Sequence, residues 1–354
     1  MKTSRIHTLD YLRGLAALGI MIYHYSSWTL GHFNSESILG KIGIYGVSLF
    51  YVLSGLTLYH VYYNKIESGI RSTASFLVKR FFRIFPLLWV ATTVAILLSQ
   101  NFPSWQKIIL NYTGLFGLVN WNSYISAGAW SIGNELVFYL FFPLFVLFAK
   151  RGAVAVIIIS ALVLFSTVFF SFIVLTPSKS LSLQWRDYVN PLNQLVLFFG
   201  GFLIGYFFSA KKVNLILLRV TLLASLIAFV LFPVEGDRIH LVTGFNRLFF
   251  CAICFLICFC VYKDDYTLPQ IIRKPFSLLG EASYSIYLLH PIMFSLTTTF
   301  VNEGAFQLRV IYVLLISSTT TLLISYVVYS NVEKPMMDLG RRLAEKYFKS
   351  NVDC

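Results

Sequence analysis

Ten apolar stretches, each near the length of a membrane-crossing helix, alternate with short polar connections along the chain. They occupy residues 9–30, 42–62, 84–98, 129–149, 153–175, 191–208, 214–233, 244–262, 279–301 and 308–329. About 20 apolar residues are needed for a helix to cross a hydrocarbon core. The third stretch is the shortest, but an amphipathic lead-in from Phe76 that carries Lys79, Arg80 and Arg83 extends it from the interface. Residues 108–119 are too few to cross, so they read as a re-entrant or interfacial piece. The pattern predicts an all-α, polytopic membrane protein with about ten transmembrane helices.

Composition and charge fix the orientation. The chain of 354 residues is 57% hydrophobic and only 12% charged, too apolar for a soluble domain of this length. With ten spans and the N-terminus inside, twenty of the 28 Lys and Arg fall on the inner side, seven on the outer side, and Arg13 lies within the first helix. That asymmetry predicts both termini in the cytoplasm. Promoting 108–119 to a span would put Lys150, Arg151, Lys211 and Lys212 outside, which argues for ten. The net charge of +13 is then cytoplasmic-side anchoring to membrane lipid, and no nucleic-acid partner is expected. Asp10 and Arg13 interrupt the first apolar run, so it is expected to stay as an anchor rather than a cleaved signal. Residues 1–335 are expected to form one transmembrane domain. Residues 336–354 are expected to be a basic cytoplasmic tail, which with Lys334 carries Arg341, Arg342, Lys346 and Lys349 against the anionic leaflet. Cys251, Cys254 and Cys258 share a helix face with no His or carboxylate in their segment, so they read as packing residues, and no metal is expected.

Ionisable residues inside apolar segments carry the chemistry, because their burial is costly. At about 100° per residue, Arg13 and His24 lie about 20° apart around the first helix, with Asp10 about 40° from His24. The three predict one interior pathway, against the plainer reading of an Asp10–Arg13 interfacial ion pair and a packing histidine. Arg80 and Arg83 are neighbours on one helical face and suit a phosphate clamp, although basic residues at inner helix ends also serve topology alone. Glu135, about 21 Å from the inner face by helix rise, matches His24 at about 22 Å. The two are therefore expected to meet, with the carboxylate fixing the tautomer of a basic imidazole, unless Ser131 and Asn134 simply satisfy a buried Glu135. His290 precedes Pro291 near the midplane, where a freed backbone can bend the helix toward a cavity.

Taken in order, the pieces 9–13 with His24, 46–55, 80–86, 130–143, 280–291 and Glu333-Lys334-Pro335 resemble the integral-membrane acyltransferase family 3. That family comprises bacterial O-acyltransferases of surface polysaccharides and related acceptors. Leu56 and Ile132 stand where the family often has Phe and Leu. The resemblance implies acyl-coenzyme A, with acetyl-CoA first among donors, and a carbohydrate or glycolipid acceptor at the inner (plasma) membrane. It implies donor-binding roles for Arg13, Arg80 and Arg83 and catalytic roles for His24, Glu135 and Asp10. His24 would act as general base, or alternatively as nucleophile through an acyl-histidine. Some members carry a fused extracytoplasmic domain, for which this chain is expected to be too short. The competing class is a secondary transporter of a small polar solute, which intramembrane charge also marks, but paired broken helices in corresponding halves are not legible.

Overall fold

The computed structural model describes residues 6–348 except 68, 100 and 304–308. Among the described residues the chain is helical throughout, without strands. The helices are α1 (His7–Leu30), α2 (Ile38–Tyr62), α3 (Ile70–Leu98), α4 (Trp105–Thr113) and α5 (Phe116–Val119). They continue as α6 (Ala129–Arg151), α7 (Ala153–Phe169), α8 (Trp185–Tyr188), α9 (Pro191–Phe208) and α10 (Leu215–Leu231). The last are α11 (Gly244–Lys263), α12 (Gln270–Glu281), α13 (Ser283–Glu303), α14 (Val310–Val328) and α15 (Lys334–Tyr347).

Every predicted apolar segment falls on a helix, except that Leu308 lies outside the described residues. Seven helical stretches are long and apolar enough to cross a membrane: α2, α3, α6, α7 with its π-helical extension, α8–α9, α11, and α14 running into α15. The apolar α10 has 17 residues, while α1 and α13, with 24 and 21, occupy the remaining two segments. The chain is thus an all-helical polytopic membrane protein. The amphipathic lead-in and third stretch form one 29-residue helix, α3, with Pro86 inside it. Residues 108–119 form the short α4 and α5, separated where Gly114 takes a left-handed φ of 72°.

One boundary differs from expectation. The ninth stretch does not begin at 279; residues 279–281 close α12, and the chain turns at Ala282 before α13. Packing explains the break, since a Cβ on Gly280 would stand 2.3 Å from the carbonyl oxygen of Asp10, so α12 lies directly on α1. Elsewhere small residues let backbones touch, the usual means of helix association in lipid. The closest case joins α2 and α9: a Cβ on Gly55 would lie 1.9 Å from the Phe198 oxygen, and one on Gly201 2.0 Å from that of Val52. Buried aromatic rings fill the space beside this seam, with Phe138 and Phe198 centroids 5.1 Å apart. The tail expected at 336–354 begins as α15, which packs on α3 with Gly340 against Phe82; Lys349 lies outside the described residues.

Candidate active site

Helices α1, α2, α3, α6 and α13, with the end of α12 and Met337 of α15, enclose a cavity of about 330 Å³, and charged side chains line one end of it. Asp10 and Arg13 come from α1, Ser54 and Thr57 from α2, Arg80 and Arg83 from α3, and Glu135 and Tyr139 from α6. All three arginines expected to bind donor therefore converge on one space. Arg13 is held by Asp10 at 3.1 Å, by the Leu53 carbonyl at 3.2 Å and by Thr57. The Asp10–Arg13 ion pair of the plainer reading thus exists, and it lies in the wall of the cavity.

Arg80 and Arg83 are held differently. Arg80 donates to the Tyr62 hydroxyl at 3.1 Å and lies over the rings of Tyr62 and Tyr139, while its Nε is buried without a partner. Arg83 donates to the Met337 sulfur at 3.3 Å, a weak acceptor. Among the described residues neither is salt-bridged to a carboxylate. Two guanidinium groups beside a cavity, with no salt bridge among the described residues, suit an anion, because a buried cation is stabilised when paired.

Glu135 belongs to this arginine end. Ser54 donates to its Oε1 at 2.7 Å, and Tyr139 donates to the same oxygen. The expected meeting with His24 does not occur, since no hydrogen bond joins them and His24 is not among the cavity residues. Depth counted from helix ends misplaced the height itself: Glu135 bonds Ser54, at the level of Arg13, whereas Tyr23 beside His24 packs on Gly43, farther back along α2.

His24 lies beyond the other end of the cavity. That end reaches Val47 on α2 and Tyr287 on α13. One turn farther along these helices, Gly43 packs on the ring of Tyr23, and His290 stacks on His24 with centroids 5.3 Å apart. Tyr287 forms the wall between: its hydroxyl donates to the Gly128 carbonyl at 3.0 Å and accepts from Ser131 at 2.8 Å. Its ring is 5.9 Å from that of His290. Ser131 is thereby committed to Tyr287, and Asn134 donates to the Tyr51 hydroxyl at 3.1 Å, so neither satisfies Glu135. Trp28 covers His24 as well, stacked at 5.0 Å.

Three features escaped the sequence reading of the site. Tyr287 stood within a quoted motif, but nothing in its spacing marked it as a partition. Glu333, noted only within the closing motif, is buried, accepts from Ser285 and leaves Oε2 without a partner near Arg83. Arg238, from the loop before α11, bonds the Tyr23 hydroxyl beside His24. The first two are visible only as polar residues in apolar sequence; the third had no readable signal.

Known proteins resemble this chain in sequence. Residues 6–330 match the family model described as Acyltransferase domain. The chain is 25% identical to O-acetyltransferase OatA of Staphylococcus aureus over 371 residues, covering 94% of this chain and 57% of that protein. It is 24% identical to peptidoglycan O-acetyltransferase OatA of Listeria monocytogenes over 327 residues, covering 83% of this chain and 50% of that protein. The chain thus spans about half the length of these relatives. No solved structure matches it. The matched range 6–330 takes in the cavity's lining residues from Asp10 on α1 to Tyr287 on α13, Met337 of α15 lying beyond it, and the chain belongs to the acyltransferase domain family.

Proposed function

We propose that this protein is a multi-pass O-acetyltransferase of the cell (plasma) membrane, with ten spans and both termini in the cytoplasm. It moves an acetyl group from acetyl-coenzyme A to a hydroxyl of peptidoglycan or another cell-surface glycan or lipid-linked sugar. The observation that carries this reading is the convergence of Arg13, Arg80 and Arg83 on one cavity, with no salt bridge from Arg80 or Arg83 to a carboxylate among the described residues. The names of the relatives supply the acetyl group and the glycan.

In this reading the arginine end faces the cytoplasm and binds the phosphates of the donor. Guanidinium forks suit this task, since each presents two parallel N–H donors to a phosphate. Asp10 holds Arg13 in place, and Glu135, tied by Ser54 and Tyr139, moderates the field of the arginines. The pantetheine arm runs along the cavity toward Tyr287, which the thioester must pass to reach His24. His24 is the imidazole at which transfer takes place, and the acceptor arrives from its side. The domain of residues 1–335 performs the transfer; Met337 of α15 touches Arg83, so the basic segment after 335 also braces the clamp.

Purified protein incubated with labelled acetyl-CoA and peptidoglycan strands tests the reading. Acceptor-dependent release of CoA with label on the glycan is the expected result. A donor left intact, with no acetyl increment missing from the surface glycans of cells lacking the protein, would overturn it.

A further inference from the structure

His290 is the most deeply buried histidine near the transfer site, 1% exposed, yet only half of its ring is satisfied. Its Nδ1 lies 3.2 Å from the Ile286 carbonyl, and its Nε2 is buried with no hydrogen-bond partner among the described residues. A carbonyl oxygen only accepts, so in the neutral ring the proton sits on Nδ1 and Nε2 presents a bare lone pair. The fold holds the residue firmly: the Tyr25 hydroxyl donates to the His290 carbonyl at 2.9 Å and lies 2.6 Å from Thr321 on α14. A fixed, unpaired acceptor in a dry site is costly unless a donor reaches it at some stage. It also faces the ring of His24 at 5.3 Å, and among the described residues no carboxylate is salt-bridged to His24.

We propose that His290 is a second catalytic imidazole, the base that deprotonates the acceptor hydroxyl, while His24 carries the acetyl group as a nucleophile. The proposal rests on the acetyltransferase reading above and divides it into two half-reactions. In the first, a ring nitrogen of neutral His24 bonds to the thioester carbon as the C–S bond breaks, CoA leaves as thiolate, and His24 becomes an acetyl-imidazolium. In the second, the acceptor oxygen bonds to the acetyl carbon as its proton passes to Nε2 of His290. The C–N bond then breaks, His24 returns to its neutral form, and the proton on His290 is released to solvent. The sum is one thioester and one alcohol converted to one ester, one thiolate and one proton. The partition at Tyr287 fits this division, because donor and acceptor need never share the space around one base.

The test separates the half-reactions in His290→Gln and His24→Gln proteins, using labelled acetyl-CoA with and without peptidoglycan strands. Wild type without acceptor should release about one CoA per protein and retain label on His24, located by mass spectrometry. His290→Gln should give the same burst and the same label, but discharge it to peptidoglycan about 10²- to 10⁴-fold more slowly, the range for a lost general base. His24→Gln should give neither burst nor label. Discharge at the wild-type rate by His290→Gln would overturn the proposal, as would loss of the CoA burst in that variant, which marks a structural role. Acetylation of peptidoglycan by wild type with no label on His24 would also overturn it while leaving the acetyltransferase reading intact. Failure of wild type to acetylate any surface glycan would instead remove that reading.

Discussion

The Ser54 hydroxyl donates to Glu135 at 2.7 Å and so fixes this carboxylate among the arginines, on the far side of Tyr287 from His24. Tyr139 donates to the same oxygen. Glu135 is in this position a regulator of the positive field that receives the donor. Glu135→Gln keeps an oxygen for both hydroxyls but removes a charge close to Arg13. The expected outcome is a changed KM for acetyl-CoA, with a loss of kcat much smaller than the roughly 10²- to 10⁴-fold of a missing acid–base group. A fall in kcat as large as that of a His24 variant would place Glu135 in the chemical step.

The clamp predicts a specific failure on conservative replacement. Arg83→Lys keeps the charge and the topology signal but loses the planar fork, so donor affinity should fall while insertion and thermal stability hold. A hydrogen bond to a charged group contributes about 1.5–3 kcal/mol, which corresponds to roughly 10- to 100-fold weaker binding. Arg80→Lys should lose more, because the guanidinium also lies over Tyr62 and Tyr139. Equilibrium binding of acetyl-CoA to detergent-solubilised protein measures both, and unchanged affinity in Arg83→Lys would leave that residue as an anchor only.

What was legible in the sequence follows from the physics of lipid. An apolar stretch of about 20 residues must be a helix there, so the helices at 42–62 or 244–262 were readable almost to their ends. Charges inside such stretches are costly, which is why Arg13 and Glu135 stood out, while Arg80 and Arg83 were marked by sharing a face at an inner helix end; the four proved to line one cavity. Partnership was not readable. Glu135 and His24 matched in depth only when counted from predicted helix ends; a serine from α2 took the carboxylate at the level of Arg13, well along the helix from the Gly43 that packs beside His24. The break at Ala282 was hidden for a similar reason, as the contact of Gly280 with Asp10 links residues 270 positions apart. The pairing of His24 with His290 required α13 to pack on α1, which no local pattern encodes.

Sidedness is open to direct measurement. The four described native cysteines are buried in α11, which leaves a low background once Cys354 is replaced by serine. A cysteine at Lys179 should react with an impermeant maleimide added to intact cells, whereas one at Lys211 should react only after the cells are opened. The reverse pattern would place the arginine end of the cavity outside and remove cytoplasmic acetyl-CoA as its ligand.

The α2–α9 seam predicts where the fold is least forgiving. Gly55→Val would force side-chain atoms into the Phe198 carbonyl, where a Cβ alone would stand at 1.9 Å, and helix backbone cannot yield as a flexible side chain does. Overpacking of a tight core costs about 1–3 kcal/mol, and a backbone clash lies at the upper end. Gly69→Ala serves as the control, because a Cβ there meets nothing within 4 Å. Size-exclusion profiles and thermal unfolding in detergent should show a loss of monodisperse protein for Gly55→Val alone. Equal behaviour of the two variants would mean that the seam opens without penalty.

His24→Asn tests the transfer site without disturbing the donor site. Asn approximates the size of the ring and its hydrogen bonding, but it neither accepts a proton at neutral pH nor forms an acyl-imidazole. Acetyl transfer should therefore fall by about 10²- to 10⁴-fold. Acetyl-CoA binding should survive, because His24 stands outside the cavity, past Tyr287, and touches none of Arg13, Arg80 and Arg83. Measuring affinity and turnover on the same preparation separates the two ends of the molecule. A well-inserted His24→Asn protein that transfers acetyl groups near the wild-type rate would move the chemistry away from the paired imidazoles, whereas a joint loss of donor binding and transfer would show that the two ends are coupled through Tyr287.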